Sequence, residues 1–499
     1  MTQTNLTLYN TRTGTRETFT PLVPGHVHMY ACGPTTYDSA HLGHARSAIA
    51  FDVLYRVLIH LGTYHVNYIR NFTDVDDKII ARAQELGEDP FALSARYAEQ
   101  YVQDMTDLGA LLPNVQPKVT ENIGPIIDYV QKLIENGHAY AAEGNVYFAI
   151  DSFPDYGKLS GRDTESMLAG QRVDVDFLKR NPLDFALWKR AKEGEPFWES
   201  PWGPGRPGWH IECSAMSGRF GAPTLDIHGG GRDLLFPHHE NEVAQSECVH
   251  KTRFANYWVH NGFVNVGAEK MSKSLRNFIT VREILDRVPR AAVRTFLLGS
   301  QYRSVLEFTW PSLMDALKAT ERFYHVRGLT ESLAATGGHG RDPGLDDLLT
   351  RTQADIRAAL LDDLNTPVVV ATLHEYCTQV NRWLDAHPKA NQRSAAADTW
   401  RDHAGLWQTL NQWTGLCAQS TDEFRQELSS KGAQALGISP DRIAADIAAR
   451  AEARIRKDWA AADTLRQSLL AQGVQLQDGP QSTSWSVDVA AYAARLSEL

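Results

Sequence analysis

Residues 27–70 read VHMYACGPTTYDSAHLGHARSAIAFDVLYRVLIHLGTYHVNYIR, and the order of patterns in this stretch decides the fold class. Val27–Ala31 is a short apolar-leaning run that ends at Cys32-Gly33-Pro34. A polar loop leads to His41-Leu42-Gly43-His44. From Ala45 to Leu61 apolar residues recur at Ile49, Val53, Leu54, Val57 and Leu58, the spacing of a helix with a buried face. Val66–Arg70 then alternates as a strand does. Strand, glycine-containing turn, helix and strand is the grammar of a parallel α/β sheet.

Working outward, residues 113–208 break that rhythm. They are rich in Pro, Gly, Trp and charge and predict an insertion within the sheet domain. Sheet grammar resumes over 209–265, with Leu225-Asp226-Ile227-His228 running into Gly229-Gly230-Gly231. Two Gly- and polar-rich stretches, Thr336 to Gly344 and Ser429 to Pro440, read as linkers. Between them, 345–428 reads helical, from Ile356, Leu360, Leu361 and Leu364 and then Leu373, Val380 and Leu384. Trp383, Trp400, Trp407 and Trp413 in this segment are expected to pack in the core. The last unit, 440–499, predicts one helix from Ile443 to about Gln472, a short strand, and a turn at Asp478-Gly479-Pro480.

Composition excludes several classes. The 499 residues, 43% hydrophobic and 22% charged, suit an ordinary globular protein of more than one domain. No basic flank precedes an apolar run at the start, and no stretch is apolar for the length of a bilayer. Neither a signal peptide nor a membrane partner is therefore expected. The five cysteines, Cys32, Cys213, Cys248, Cys377 and Cys417, are odd in number and far apart, which points to a reducing, cytoplasmic setting. A net charge of −10 does not advertise a nucleic-acid binder, so any such partner must meet local basic patches.

Two short motifs carry phosphate chemistry. His41-Leu42-Gly43-His44 sits where a strand hands over to a helix, so backbone N–H groups and the positive end of the helix dipole meet there. The histidines, spaced i, i+3, share one side of the first turn, and Gly43 leaves the backbone open to a nucleotide. Lys270-Met271-Ser272-Lys273-Ser274 suits a loop that places compact positive charge on a transferring phosphate. Alone, either motif also fits an ordinary surface turn. A third group holds soft and hard donors: Cys32, Cys213, and His238 with Glu242 at i, i+4. If a helix starts after Pro237 these last two share a face. Two thiolates, an imidazole and a carboxylate form a sensible zinc set, although the spacing alone is a weak signal and His239 is an alternative to His238.

H-x-G-H followed by K-M-S-K-S resembles the joint signature of class I aminoacyl-tRNA synthetases. The runs YACGPT, GWHIECSAM, DIHGGG, FPHHENE and KMSKS, in this order, look like those of the cysteinyl-tRNA synthetase family. The resemblance implies a Rossmann-like catalytic domain in two halves, 1–112 and 209–265, with 113–208 as an inserted connective domain. It also implies a KMSKS loop and stem-contact region at 266–335, a helical bundle at 345–428 and an anticodon-binding unit at 440–499. It implies that Cys32, Cys213, His238 and Glu242 bind one zinc ion. Thr73, Trp209 and His228, with Cys32, would line a cysteine pocket. His41, Gly43, His44, Asp233, Lys270 and Lys273 would bind ATP and its Mg²⁺, with Asp233 near the ribose and the two histidines and two lysines acting in catalysis.

The implied partners are L-cysteine, ATP and tRNA(Cys), and the implied state is a cytoplasmic monomer. A cysteine ligase with a small amino-sugar acceptor is the nearest alternative, and a non-catalytic synthetase paralogue the next. Arg454, Arg456 and Lys457 near Trp459 suit single-stranded bases, although Trp459 itself is expected to pack inward. One departure stands out: Arg276 follows Leu275 where the family usually carries glycine.

Overall fold

Val27, Met29, Tyr30 and Ala31 have almost no accessible surface in the computed structural model of the chain. A strand without a polar face belongs inside a parallel sheet. The structure describes residues 5–163, 177–267, 269–270, 278–479 and 483–498, and of Glu269 and Lys270 the backbone only. The chain divides into two units. One comprises Met1–Thr106, Leu111–Phe263 and Leu361–Leu364. The other comprises Asp107–Ala110, Val264–Leu360 and Asn365–Leu499.

The first unit is built on β1 (His26–Ala31), α1 (Leu42–Arg56), β2 (His65–Arg70), α2 (Trp209–Phe220), β3 (Leu225–Gly231), α3 (Glu240–His250) and β4 (Ala255–Asn261). The sheet runs β4-β3-β1-β2 and is parallel throughout. Tyr30 pairs with Ile69 on one side and His228 on the other, so the carboxyl ends of the strands line up along one edge. In open α/β sheets that edge is where ligands bind. The close of β3 requires glycine: a Cβ on Gly229 would sit 1.8 Å from the Val259 carbonyl oxygen.

The helix expected over 45–61 begins earlier, at Leu42, because His41 caps it. Its last turn, Val57–Leu61, widens to a π-type turn before Gly62. The segment between β2 and α2 holds an antiparallel sheet of Ala139–Ala142, Asn145–Phe148, Phe185–Arg190 and Gly205–Pro207 in sequential order. Its Val146, Phe148, Leu187 and Trp188 are fully buried. Asp77 ties this sheet to the helix at Asp77–Leu86 through Lys189, at 2.6 Å, and through Arg206.

The second unit opens with Val264–Val266 between Glu269–Lys270 and Leu306–Phe308 and continues as helices, with an antiparallel pair of strands, Val474–Asp478 and Thr483–Val487, near its end. Trp400 and Trp407 pack in its core as expected, whereas Trp383 and Trp413 are half-buried. Three readings need correction. The stretch from Ser429, read as a linker, is helical up to Ala435, because Phe424, Leu428 and Ala433 bury one face. The single helix expected from Ile443 is two, Pro440–Ile455 and Trp459–Ala471, interrupted where Lys457 turns to φ 59°. Trp459, expected to pack inward, is 60% exposed, beside Ile455 at 82%. No helix among the described residues is long and apolar enough to cross a membrane.

Candidate active site and metal centre

Cys32 extends β1 by one residue, its N–H donating to the Gly229 carbonyl at 3.0 Å. Cys213 lies on α2. His238 lies in a π-type turn, Leu235–His239, that leads into α3, and Glu242 is in the first turn of α3. All four are buried, and their donor atoms lie within 4.8 Å of one another. Cys32 Sγ is 3.7 Å from Cys213 Sγ, 3.6 Å from His238 Nε2 and 3.4 Å from Glu242 Oε1. His238 Nε2 is 3.0 Å from Glu242 Oε1. A tetrahedral zinc ion with bonds of about 2.0–2.3 Å sets its donors roughly 3.3–3.8 Å apart; the three distances from Cys32 Sγ lie in that range and the 3.0 Å between His238 and Glu242 is slightly shorter, so the residues present fit the ion.

A second grouping, Cys32, His228, His239 and Glu242, shares two of these members. The hydrogen bonds separate the two groupings. His228 uses both ring nitrogens, Nδ1 on the Tyr30 carbonyl at 2.9 Å and Nε2 on Glu242 Oε2 at 2.8 Å. His239 is tied through Nδ1 to His260 at 2.8 Å, and His260 in turn to Thr11. His238 meets His210 through Nδ1 at 2.8 Å and keeps Nε2 on the cluster. A ring held by one nitrogen with the other facing the donors is how ligating histidines are oriented. His239 is held in the same way, so distance decides for His238: its Nε2 lies 3.6 Å from Cys32 Sγ and 3.0 Å from Glu242 Oε1, whereas His239 Nε2 lies 3.9 Å from Glu242 Oε1.

The electrostatics describe a cluster short of positive charge. Burial pushes the Cys32 thiol well up, and its bond to Cys213 adds to this. Burial also opposes ionisation of Cys213, yet the hydrogen bond from Cys32 and the His238 imidazole bring it down to about 6. Against burial, Glu242 holds His238 up at about 10. Glu242 itself stays well below the usual carboxylate range, because His228 and His238 outweigh burial. One thiol ionises readily and the other resists; a dication among them would favour the thiolate of both.

The residues expected around the amino acid gather at this cluster. The Trp209 ring stacks on His238, centroids 4.3 Å apart at 28°. The Thr73 hydroxyl donates to Glu212 Oε2 at 2.7 Å. Burial drives the Glu212 carboxyl well up in pKa, against the Thr73 bond. Asn71 takes the Gly33 N–H at 2.9 Å and reaches within 3.6 Å of Cys213 Sγ.

The phosphate motif forms the amino end of α1. The His41 and His44 rings stack 3.8 Å apart at 11°. Each Nδ1 accepts the other residue's backbone N–H, at 3.3 and 3.4 Å. Gly43 sits half-buried between them. Asp233 is exposed on the turn Arg232–Leu234 that follows β3. The Lys270 backbone pairs with Asn265 in the second unit. Lys273 and Arg276 lie outside the described residues.

Sequence reasoning passed over His210, Glu212, His260 and Asn71. Glu212 and His210 stand inside a quoted motif, and their adjacency to Cys213 and Trp209 was the available signal. His260 carries no local signal and is brought in only by the pairing of β4 with β3.

A family model described as tRNA synthetases class I (C) catalytic domain matches residues 18–318, and a DALR domain model matches 355–412. The chain is 46% identical over 498 residues to the cysteine--tRNA ligase of Syntrophobacter fumaroxidans, covering 97% of this chain and 99% of that protein. It is 43% identical to a chloroplastic/mitochondrial cysteine--tRNA ligase of Zea mays, over 96% of this chain and 86% of that one. Among solved structures, Mycobacterium tuberculosis methionyl-tRNA synthetase bound by methionyl-adenylate superposes with a TM-score of 0.59 at 13% identity, over 83% of this chain and 95% of that one. A leucyl-tRNA synthetase of Agrobacterium radiobacter K84, in a ternary complex with tRNA, gives 0.57 at 12% identity, over 82% of this chain and 86% of that one. At such identities the structures speak to the fold alone. With two family models and near-full-length relatives agreeing, the chain belongs to the cysteine--tRNA ligase family of class I tRNA synthetases.

Proposed function

We propose that this chain, a cytoplasmic monomer, activates L-cysteine with ATP and transfers it to tRNA(Cys). One observation carries the reading: a buried set of two sulfurs, an imidazole and a carboxylate, spaced for one ion, at the carboxyl edge of a parallel sheet. Cysteine and serine differ by one atom, which a hydrophobic pocket separates poorly. A zinc ion held by Cys32, Cys213, His238 and Glu242 supplies a soft Lewis acid that prefers a thiolate to a neutral alcohol.

The chain's own groups do the rest. Trp209, Thr73 and His228 orient the amino acid. Its carboxylate oxygen attacks the α-phosphorus of ATP, brought as the magnesium complex, and the bond to pyrophosphate breaks. His41, His44, Lys270 and Lys273 stabilise the charge that spreads over the transferring phosphate. Gly43 admits the nucleotide to the backbone and Asp233 holds the ribose. The terminal ribose hydroxyl of tRNA then attacks the adenylate carbonyl, AMP departs, and the hydroxyl proton is released. No side chain forms a covalent intermediate, so positioning and charge carry the rate. All five cysteines are unpaired, as a reducing cytoplasm requires.

Charging assays test the acceptor. The expected result is cysteine esterified to tRNA(Cys) with no product on an amino sugar; the reverse would favour the small-acceptor ligase. In the 440–499 unit, Trp459 stands exposed beside Ile455 and near Arg454, Arg456 and Lys457, a combination suited to stacking an unpaired anticodon base. Trp459→Ala is expected to lower kcat/KM for tRNA by about 5- to 100-fold. Cysteine-dependent ATP–pyrophosphate exchange without tRNA should stay within about 2-fold. Unchanged charging would remove Trp459 from the interface.

A further inference from the structure

Lys189 and Arg206 face each other across the antiparallel strands Phe185–Arg190 and Gly205–Pro207. Like charges directly opposite on neighbouring strands repel. Arg206 is also buried, which makes its charge costlier to keep unpaired. One carboxylate answers both cations. Asp77, the first residue of its helix, accepts Lys189 Nζ on Oδ2 at 2.6 Å and Arg206 Nη2 on Oδ1. Glu195 is the more distant carboxylate, 3.6 Å from Arg206. Against burial, Lys189 and Arg206 bring the Asp77 carboxyl down to about 2, so it is ionised at neutral pH.

This node joins the two segments that carry Thr73 and Trp209. Asp77 follows Thr73 by four residues, and Thr73 is itself fixed: its N–H donates to the Pro34 carbonyl and its carbonyl accepts the Thr36 N–H, each at 3.2 Å. Arg206 precedes Trp209, the ring stacked on His238, by three residues. The chain between them has no slack. The Gly208 N–H donates to the Leu187 carbonyl at 2.9 Å, and a Cβ on Gly208 would sit 2.0 Å from the Ala186 carbonyl oxygen. A shift of the strand at Arg206 is therefore carried to Trp209. Resting on the reading of this site as a centre for cysteine activation, we propose that Asp77, Lys189 and Arg206 form an ionic clamp that sets Trp209 in place relative to Thr73 and thereby the affinity for the amino acid. The three act through Trp209 and are positioning residues.

The test follows cysteine-dependent ATP–pyrophosphate exchange on metal-replete full-length protein. Asp77→Asn keeps the size and removes the charge. It is expected to raise the cysteine KM about 10-fold, with kcat and the ATP KM within about 2-fold. Asp77→Glu keeps the charge and should stay within about 3-fold of wild type. In a Trp209→Phe background Asp77→Asn should add less than about 2-fold, because the indole that the clamp places is gone. An unchanged cysteine KM in Asp77→Asn, equal rises in the Asn and Glu variants, a fall in kcat in place of the KM rise, or full additivity with Trp209→Phe would each overturn the clamp. Should Asp77→Asn fail to fold, Lys189→Met removes one cation from the same node and decides by the same constant: a rise of about 3-fold supports the clamp and no rise overturns it. Wild-type protein without cysteine-dependent pyrophosphate exchange would defeat the underlying function, a distinct failure visible before any variant is made.

Discussion

Replacing Cys213 with serine is expected to empty the metal centre and to lower cysteine-dependent ATP–pyrophosphate exchange by at least about 10³-fold, roughly 4 kcal/mol of transition-state stabilisation. The two side chains are nearly the same size, so the packing around Cys213, 2% exposed, barely changes. The chemistry does change. A neutral hydroxyl replaces the thiol that Cys32 and His238 hold at about 6 and that ionises most readily in the cluster. The remaining donors would be one sulfur, one imidazole and one carboxylate, without the charge that draws in a dication. Metal content measured alongside far-UV circular dichroism separates loss of the ion from loss of the fold. Folded protein with full metal and full activity would contradict the assignment of Cys213 as a ligand.

His44→Ala is expected to lower the rate of exchange about 10²- to 10³-fold while leaving the cysteine Kd within about 2-fold. His44 belongs to the amino end of α1, away from the sulfur donors in sequence and in hydrogen bonding. It stacks on His41 and returns a backbone bond to it. Removing the ring would delete the donor proposed to meet phosphate and one arm of the helix cap, the latter worth about 1 kcal/mol of stability. A thermal melt measures the cap and exchange kinetics measure the donor. A variant that melts lower but turns over normally would restrict the histidine pair to a structural role.

The sheet was legible from the order of its patterns: strand, glycine-containing turn, helix and strand between Val27 and Arg70 already contain the unit β1-α1-β2. Less legible were features set by packing rather than period. A helix interrupted at Lys457 looks continuous when alanines and arginines run through the break, and a backbone turn to positive φ leaves little trace in a sequence. Trp459 misled for a related reason. An aromatic residue is expected inside on hydrophobicity, and only the turn before it reveals that it stands outside. At the site, the donor atoms were nameable one by one, but the bonds that His210, His228 and His260 make to His238, Glu242 and His239 were not. Those partners come from three separate elements that only the folded sheet brings together.

We propose that the buried cluster binds an ion that takes the sulfur of the incoming amino acid. Cobalt(II) in place of zinc makes that bond visible, because thiolate-to-cobalt charge transfer absorbs in the near ultraviolet. Titrating cobalt-loaded protein with cysteine should increase this absorption in proportion to bound cysteine, and serine at the same concentrations should leave the spectrum unchanged. A spectrum that shows the protein's own two sulfurs but does not respond to saturating cysteine would contradict the account.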